Sequence, residues 1–108
     1  MSLYRFKSRE TADLVMLEPH GRRVLEILGK DPDQPGIIVP DQMPGAIAAL
    51  RAAVAEEEAH QRQQREEAEA RGEPSPQFDP VSLRLRTTPF IDMLERCAKA
   101  RVEVVWGV

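Results

Sequence analysis

Residues 18–30 read EPHGRRVLEILGK, and they contain the side chains best suited to chemistry. His20 is a candidate reactive histidine, and Gly21 would let a ligand approach the backbone closely. Arg22 and Arg23 follow where a helical pattern begins, and the N–H groups at a helix start favour a phosphate or carboxylate. The stretch therefore suggests an anion-binding turn, to which Arg84 and Arg86 could contribute.

A structural interpretation of the same stretch competes with the anion site. Pro19 would end a strand, Gly21 would relieve a tight turn, and both arginines would point to solvent. A phosphate-binding loop normally contains more glycines, or the lysine and serine or threonine that end a P-loop. A hinge between a strand and a helix is therefore the favoured interpretation, and the anion site around His20–Arg23 is the alternative.

The remaining candidates for catalysis and metal binding are few. Cys97 is the only cysteine, which excludes an intramolecular disulfide, and it falls on the predicted apolar face of a helix. His20 and His60 are the only histidines, and their spacing is not that of metal ligands. Asp92 and Glu95 are typical of solvated charges on a helix surface. We predict no cofactor and no metal, and an enzyme is the less favoured function class.

Composition limits the function further. The chain has 108 residues, 42% of them hydrophobic, which suits one globular domain over residues 1–108. No apolar run reaches the ~18 residues of a membrane span, and the N-terminus lacks the apolar core of a secretory signal. We therefore expect a cytoplasmic protein that does not bind a membrane.

Basic and aromatic residues alternate at Tyr4-Arg5-Phe6-Lys7, as they do in some sheets that bind nucleic acids. The same alternation is typical of a strand with one buried face and one solvated face. The net charge is −3, so the chain as a whole lacks the basic excess of nucleic-acid-binding proteins. Nucleic acid is therefore a disfavoured partner.

Periodicity predicts the elements that position these residues. LYRFKS and residues 12–17 form a hairpin, and a short helix follows that ends at Gly29. Residues 36–40 are too short for more than an edge segment. A long helix opens between residues 41 and 44 and buries Ile47, Leu50 and Val54.

The C-terminal third predicts a helix and a closing strand. Asp79-Pro80 resembles a helix cap, although VSLRLR also alternates like a strand. We favour a helix from about Pro80 to Lys99, kinked or broken at Pro89. VEVVWGV is a strand that pairs with the hairpin, and the core is the favoured place for Trp106, with a subunit interface as the alternative. The fold class is α+β: a small antiparallel sheet with helices packed on one face.

Residues 56–77 form a distinct segment. Seven glutamates and three arginines lie between Glu56 and Pro76, and no large aliphatic or aromatic residue occurs from Glu56 to Gly72. Opposite charges spaced four apart support a helix only weakly. We therefore predict an acidic, mobile helical extension followed by a linker. The favoured function is a non-catalytic interaction module, which could self-associate or bind another protein.

Several motifs together resemble a known family: PHG near residue 20, GII…P at residues 36–40, MPGAIAAL, VSLRLRTTPFIDML and the closing VVWG. The chain resembles, over essentially its whole length, a family of small, uncharacterised proteobacterial proteins, domain of unknown function 1840. The resemblance implies a bacterial cytoplasmic single domain. It implies no activity, ligand or catalytic residue.

Overall fold

A computed structural model describes residues 3–78 and 82–107. Its strands are β1 (Leu3–Lys7), β2 (Leu14–Leu17), β3 (Gly36–Ile38) and β4 (Val104–Trp106). Its helices are α1 (Glu18–Ile27), α2 (Met43–Ala70) and α3 (Leu83–Ala100), with a short 3₁₀ helix at Pro40–Gln42. This order confirms the α+β prediction.

The four strands form one antiparallel sheet in the order β2-β1-β4-β3. Leu3 lies opposite Leu17 in the hairpin, and Phe6 lies opposite Trp106 where the closing strand joins it. Both predicted pairings are confirmed, and residues 36–38 form an edge strand as expected. The first and last strands of the described chain, β1 and β4, are therefore neighbours at the centre of the sheet.

The core lies between the sheet and the helices. Phe6 packs against Phe90 of α3 and against Trp106, with ring centroids 4.6 and 5.8 Å apart. Trp106 and Cys97 are both buried, so the core positions predicted for them are confirmed. Tyr4 and Phe6 share the helix-covered face of β1, as the alternation indicated.

The predicted hinge at Pro19–Gly21 is wrong. β2 ends at Leu17 and α1 begins at Glu18, so the strand passes directly into the helix. Pro19 lies in the first turn of α1, where a proline loses no helical hydrogen bond. The predicted C-terminus of this helix is confirmed, because Gly29 has a left-handed φ of 73°.

The two long helices settle the remaining ambiguities. α2 buries Ile47, Leu50 and Val54 as predicted and continues through Ala70. α3 is capped by Ser82, whose hydroxyl accepts a hydrogen bond from the Leu85 N–H. Residues 83–86 are helical, so the strand interpretation is wrong there. The predicted cap at Asp79-Pro80, together with Val81, lies outside the described residues.

Pro89 does not break α3, in contrast to one of the two expected outcomes. A proline inside a helix leaves one carbonyl without its usual donor. At the residue before Pro89, the Thr88 hydroxyl donates to the Arg84 carbonyl of the preceding turn at 2.6 Å. Hydroxyls that hydrogen-bond backwards in this way often accompany helix bending.

Across residues 3–78 and 82–107, no helix is long and apolar enough to cross a membrane.

Candidate functional site

Gly21 holds the first turns of α1 against the sheet. A Cβ atom at this position would overlap the Tyr4 ring, so only glycine lets α1 lie this close to β1. The role of Gly21 is therefore packing. The close approach leaves His20, Arg22 and Arg23 at the rim of the molecule, where they are partly or fully exposed.

Arg22 is bound to the loop that follows α1. Its two guanidinium nitrogens donate to the Asp33 carboxylate at 2.6 and 3.4 Å. The hydrogen bond and the positive charge lower the pKa of Asp33, and the same contact raises the pKa of Arg22. The Tyr4 hydroxyl donates to the Pro32 carbonyl of this loop at 2.8 Å. Arg22 therefore fastens a loop, and much of its charge is neutralised within the chain.

The structure brings four of the six predicted site residues together. A surface cleft of about 500 Å³, which we call the basic cleft, is lined by Pro19, His20, Arg22, Arg23, Glu26 and Arg86. Arg86 comes from α3 and is distant in sequence from the others. The fold thus assembles the predicted basic cluster from two helices.

Arg84 does not belong to the basic cleft. Two residues from Arg86 on α3, it points elsewhere and donates twice to the Glu58 carboxylate, each time at 2.8 Å. This contact lowers the pKa of Glu58 and raises that of Arg84. Side chains two residues apart on a helix point in different directions, so Arg84 and Arg86 contact different parts of the molecule.

A second, largely apolar groove adjoins the basic cleft. We call it the β2 groove; its volume is about 270 Å³ and its walls are residues 14–17, His20, Leu85, Arg86 and Pro89. Successive strand residues point to opposite faces of a sheet, so a groove that touches all four residues of β2 lies along the strand's edge. His20 and Arg86 also line the basic cleft, so the two depressions are continuous.

The sheet face opposite the helices is apolar and uncovered in the described chain. On this open face Leu3, Val15, Leu17 and Ile37 are between 43% and 54% exposed. Arg5 also lies on it and forms an ion pair with Asp13 at 3.5 Å. The alternation at Tyr4 to Lys7 predicted a solvated face from Arg5 and Lys7 alone. The unbroken apolar run LVML was the signal that both faces of β2 are apolar.

A third depression, of about 480 Å³, lies between α2 and α3. The Arg51–Glu95 ion pair, at 3.1 Å, crosses it and ties the helices together. Asp92 pairs with Arg96 on the same helix. Asp92 and Glu95 thus have the surface positions that the sequence indicated.

Residues 2–106 match the family model described as Domain of unknown function (DUF1840). The chain belongs to this family. Comparisons with curated proteins and with solved structures gave no match. The matched range includes the basic cleft, the β2 groove and the open face.

Within the described part of this DUF1840 chain, no group of three His, Cys, Asp or Glu residues could hold a metal ion. The Cys97 thiol is buried, and its Sγ atom lies 3.0 Å from the Ser8 hydroxyl. His20 Nδ1 is buried and lacks a hydrogen-bond partner among the described residues. His20 is thus a side chain of the DUF1840 basic cleft whose hydrogen bonding is incomplete among the described residues.

Proposed function

We propose that the protein is a non-catalytic interaction module that self-associates through the open face of its sheet. The observation that carries this proposal is the exposure of Leu3, Val15, Leu17 and Ile37 on one face. Soluble monomers rarely leave a large contiguous apolar patch exposed unless it binds something. A second sheet laid on such a face would bury these side chains as a sandwich core is buried.

The half of the open face formed by β1 and β2 is suited to a second copy of the same chain. Leu3 and Leu17 are cross-strand partners, and Val15 lies beside them opposite Arg5. Arg5 and Asp13 add one positive and one negative charge next to this apolar cluster. In a two-fold interface, residue i contacts residue j of the partner and j contacts i. Arg5 of each copy would then pair with Asp13 of the other copy, so the interface would contain two equivalent ion pairs.

The place of action belongs to the same proposal. A single, buried cysteine suits a reducing compartment, and we propose the bacterial cytoplasm. There the module would act as a homodimer.

The mass in solution tests the proposal. The parent protein should sediment as a dimer at micromolar concentration, and Leu3→Asp should produce a monomer with an unchanged circular dichroism spectrum. Leu85→Asp is the matched control, because Leu85 is also exposed but belongs to helix α3 and not to the sheet. A monomeric parent protein, or a Leu3→Asp variant that still dimerises, would contradict self-association through this face.

Reversing the charges tests the geometry more sharply. Arg5→Asp alone should weaken the dimer, because two acidic groups would then meet across the two-fold axis. Adding Asp13→Arg should restore it. Restoration is not expected if Arg5 and Asp13 contribute only to a solvated surface.

Anion binding at the basic cleft is the second candidate function. The observation that favours it is the convergence of His20, Arg23 and Arg86 from two helices, although Arg22 is already held by Asp33. An anion bound to the native state alone raises the melting temperature by mass action. Phosphate should then raise the melting temperature of the parent protein but not of Arg23→Ala, and chloride at equal ionic strength should have no such effect. Equal responses of both proteins to both salts would exclude this function.

A further inference from the structure

The β2 groove and the basic cleft form one continuous surface with an apolar part and a basic end. We propose that this surface binds an extended segment of a different protein, which adds a strand to the edge of β2 and places an acidic residue in the basic cleft. This site shares Val15 and Leu17 with the self-association surface of the proposed function, but it lies along the edge of β2 and includes residues of α1 and α3. Its partner is defined by chemistry: alternating apolar residues followed by a carboxylate.

The edge position of β2 provides the backbone contacts. β2 pairs with β1 on one side, and it ends the sheet on the other among the described residues. An edge strand presents unpaired N–H and C=O groups, and an extended peptide can pair with them. The four residues of β2 all line the groove, so an added strand would lie within it.

The wall facing β2 provides side-chain contacts. Leu85 is 62% exposed, the largest exposed fraction among the large hydrophobic side chains of the described chain. Together with Pro89 it faces β2 across the groove, which places apolar surface from a helix beside a sheet edge. Every second side chain of an added strand would point toward one face of the sheet, so the groove selects alternating apolar residues.

The charge at the end of the groove determines the polarity of the partner. His20 and Arg86 line both depressions, and Arg23 lies in the basic cleft beyond them. Among the described residues, Glu26 is the one acidic residue in the lining of that cleft. A segment that continues past Leu17 would therefore meet an excess of positive charge, which favours an aspartate, a glutamate or a terminal carboxylate.

The chain's own acidic segment does not meet these requirements. Residues 56–72 carry glutamates but no large aliphatic or aromatic side chain, so they cannot fill the groove. The apolar runs of β1, β3 and β4 are already paired within the sheet. Within the described part of one chain, no segment is therefore left to fill the groove, and the proposed occupant comes from another polypeptide.

Selection from a random heptapeptide display library on the intact protein tests the proposal. The enriched peptides should alternate apolar residues and carry an acidic residue toward one end. In hydrogen exchange, a synthetic version of the most enriched peptide should slow amides within residues 14–17. Failure to enrich any sequence, or enrichment of basic or proline-rich peptides, would overturn the proposal.

Variants then locate the binding. Leu85→Asp should weaken the affinity for the enriched peptide by at least about tenfold, since it places a charge against the apolar side chains. Arg23→Glu should weaken it by about tenfold and should change the preference toward a basic end residue. Arg62→Glu, the same change on an exposed helical position outside the lining of both depressions, is the matched control and should have no effect.

These results are distinguishable from those that test self-association. Leu3→Asp should abolish the dimer and leave peptide affinity within about twofold, since Leu3 does not line the β2 groove. Leu85→Asp should weaken peptide binding and leave the dimer intact. Loss of peptide binding in Leu3→Asp, or its persistence in both Leu85→Asp and Arg23→Glu, would contradict the assignment of this site.

Discussion

The two halves of α2 are parts of one continuous helix, yet different interactions hold them. The first half, residues 43–55, buries Met43, Ile47, Leu50 and Val54, and the first three belong to the hydrophobic core shared with the sheet and α3. In the second half, residues 56–70, Ala68 is the single buried residue. The first half is therefore held by apolar burial, whereas the second must be held mainly by polar contacts and by its ends.

Those polar contacts are concentrated near the junction of the two halves. Glu58 binds Arg84, and the Glu57 carboxylate accepts a hydrogen bond from the Leu83 N–H at 3.0 Å. Farther along, the Arg65 guanidinium lies 5.0 Å from the centre of the Phe78 ring. At the end, the Glu73 N–H donates to the Ala68 carbonyl at 2.9 Å, and Gly72 has a φ of 69°. A helix can thus extend well beyond the core if its end is well capped.

Truncating a side chain in the first half should have the largest effect. Leu50 is fully buried, so Leu50→Ala should lower the free energy of unfolding by ~2–5 kcal/mol through lost burial and a cavity. Urea unfolding followed by circular dichroism measures it. Gln63→Ala, on the exposed surface of the second half, should stay within ~0.5 kcal/mol and is the comparison variant. Equal effects of the two substitutions would remove the distinction between the halves.

Deleting most of the second half should have a smaller effect. Replacing residues 61–76 by a short flexible linker should lower the free energy of unfolding by less than ~1 kcal/mol, because loop-length changes are thermodynamically mild. The deletion removes the burial of Ala68 and the Arg65–Phe78 contact, and it retains the Glu58–Arg84 pair. Loss of cooperative unfolding in the deletion variant would show that the extension stabilises the body. Its mobility stays a prediction, which the hydrogen exchange rates of its amides measure.

Removing the Glu58–Arg84 contact at the junction between the halves should have the smallest effect on stability, and that effect should depend on pH. Arg84 lowers the pKa of Glu58 below its ordinary value of 4.5, so their contact stabilises the fold above that pH. The stabilisation is lost as the pH falls through the folded-state pKa, because the carboxyl group becomes protonated. Arg84→Gln should therefore lower the melting temperature slightly at pH 6 and leave it unchanged at pH 2.

A second variant separates this pair from general charge effects. Lys99→Gln removes a positive charge from an exposed position of the same helix. Its melting temperature relative to the parent protein should not follow the titration of Glu58. A pH dependence shared by Arg84→Gln and Lys99→Gln would show that net charge, and not the Glu58–Arg84 contact, is responsible.

Local patterns in the sequence were sufficient for most of the fold. The alternation at Tyr4 to Lys7 identified β1 and its buried face, and the spacing of Ile47, Leu50 and Val54 identified the buried stripe of α2. In residues 81–86 a capping signal favoured a helix and the alternation of apolar residues favoured a strand. Residues 83–86 are helical. Each of these predictions depended on neighbours within a few residues.

The candidate surfaces depended on long-range placement and were less predictable. The sequence placed His20 to Arg23 in one candidate stretch and offered Arg84 and Arg86 as contributors, but the approach of Arg86 depends on how α3 lies beside β2. Leu85 was assigned to an alternating apolar pattern, and nothing local indicated that it would be exposed. The edge position of β2 was not predicted, because the sequence did not indicate which strand of the hairpin the closing strand would join.

The burial of Cys97 makes the chain a reporter of its own opening. This sole thiol is fully buried beside Ser8, where α3 meets the end of β1, so a thiol reagent reaches it only when the body opens. Under excess reagent, the labelling rate then measures either the opening equilibrium or the opening rate, depending on which step is faster. Because Cys97 lies in the body, its labelling rate should be nearly the same with and without residues 61–76.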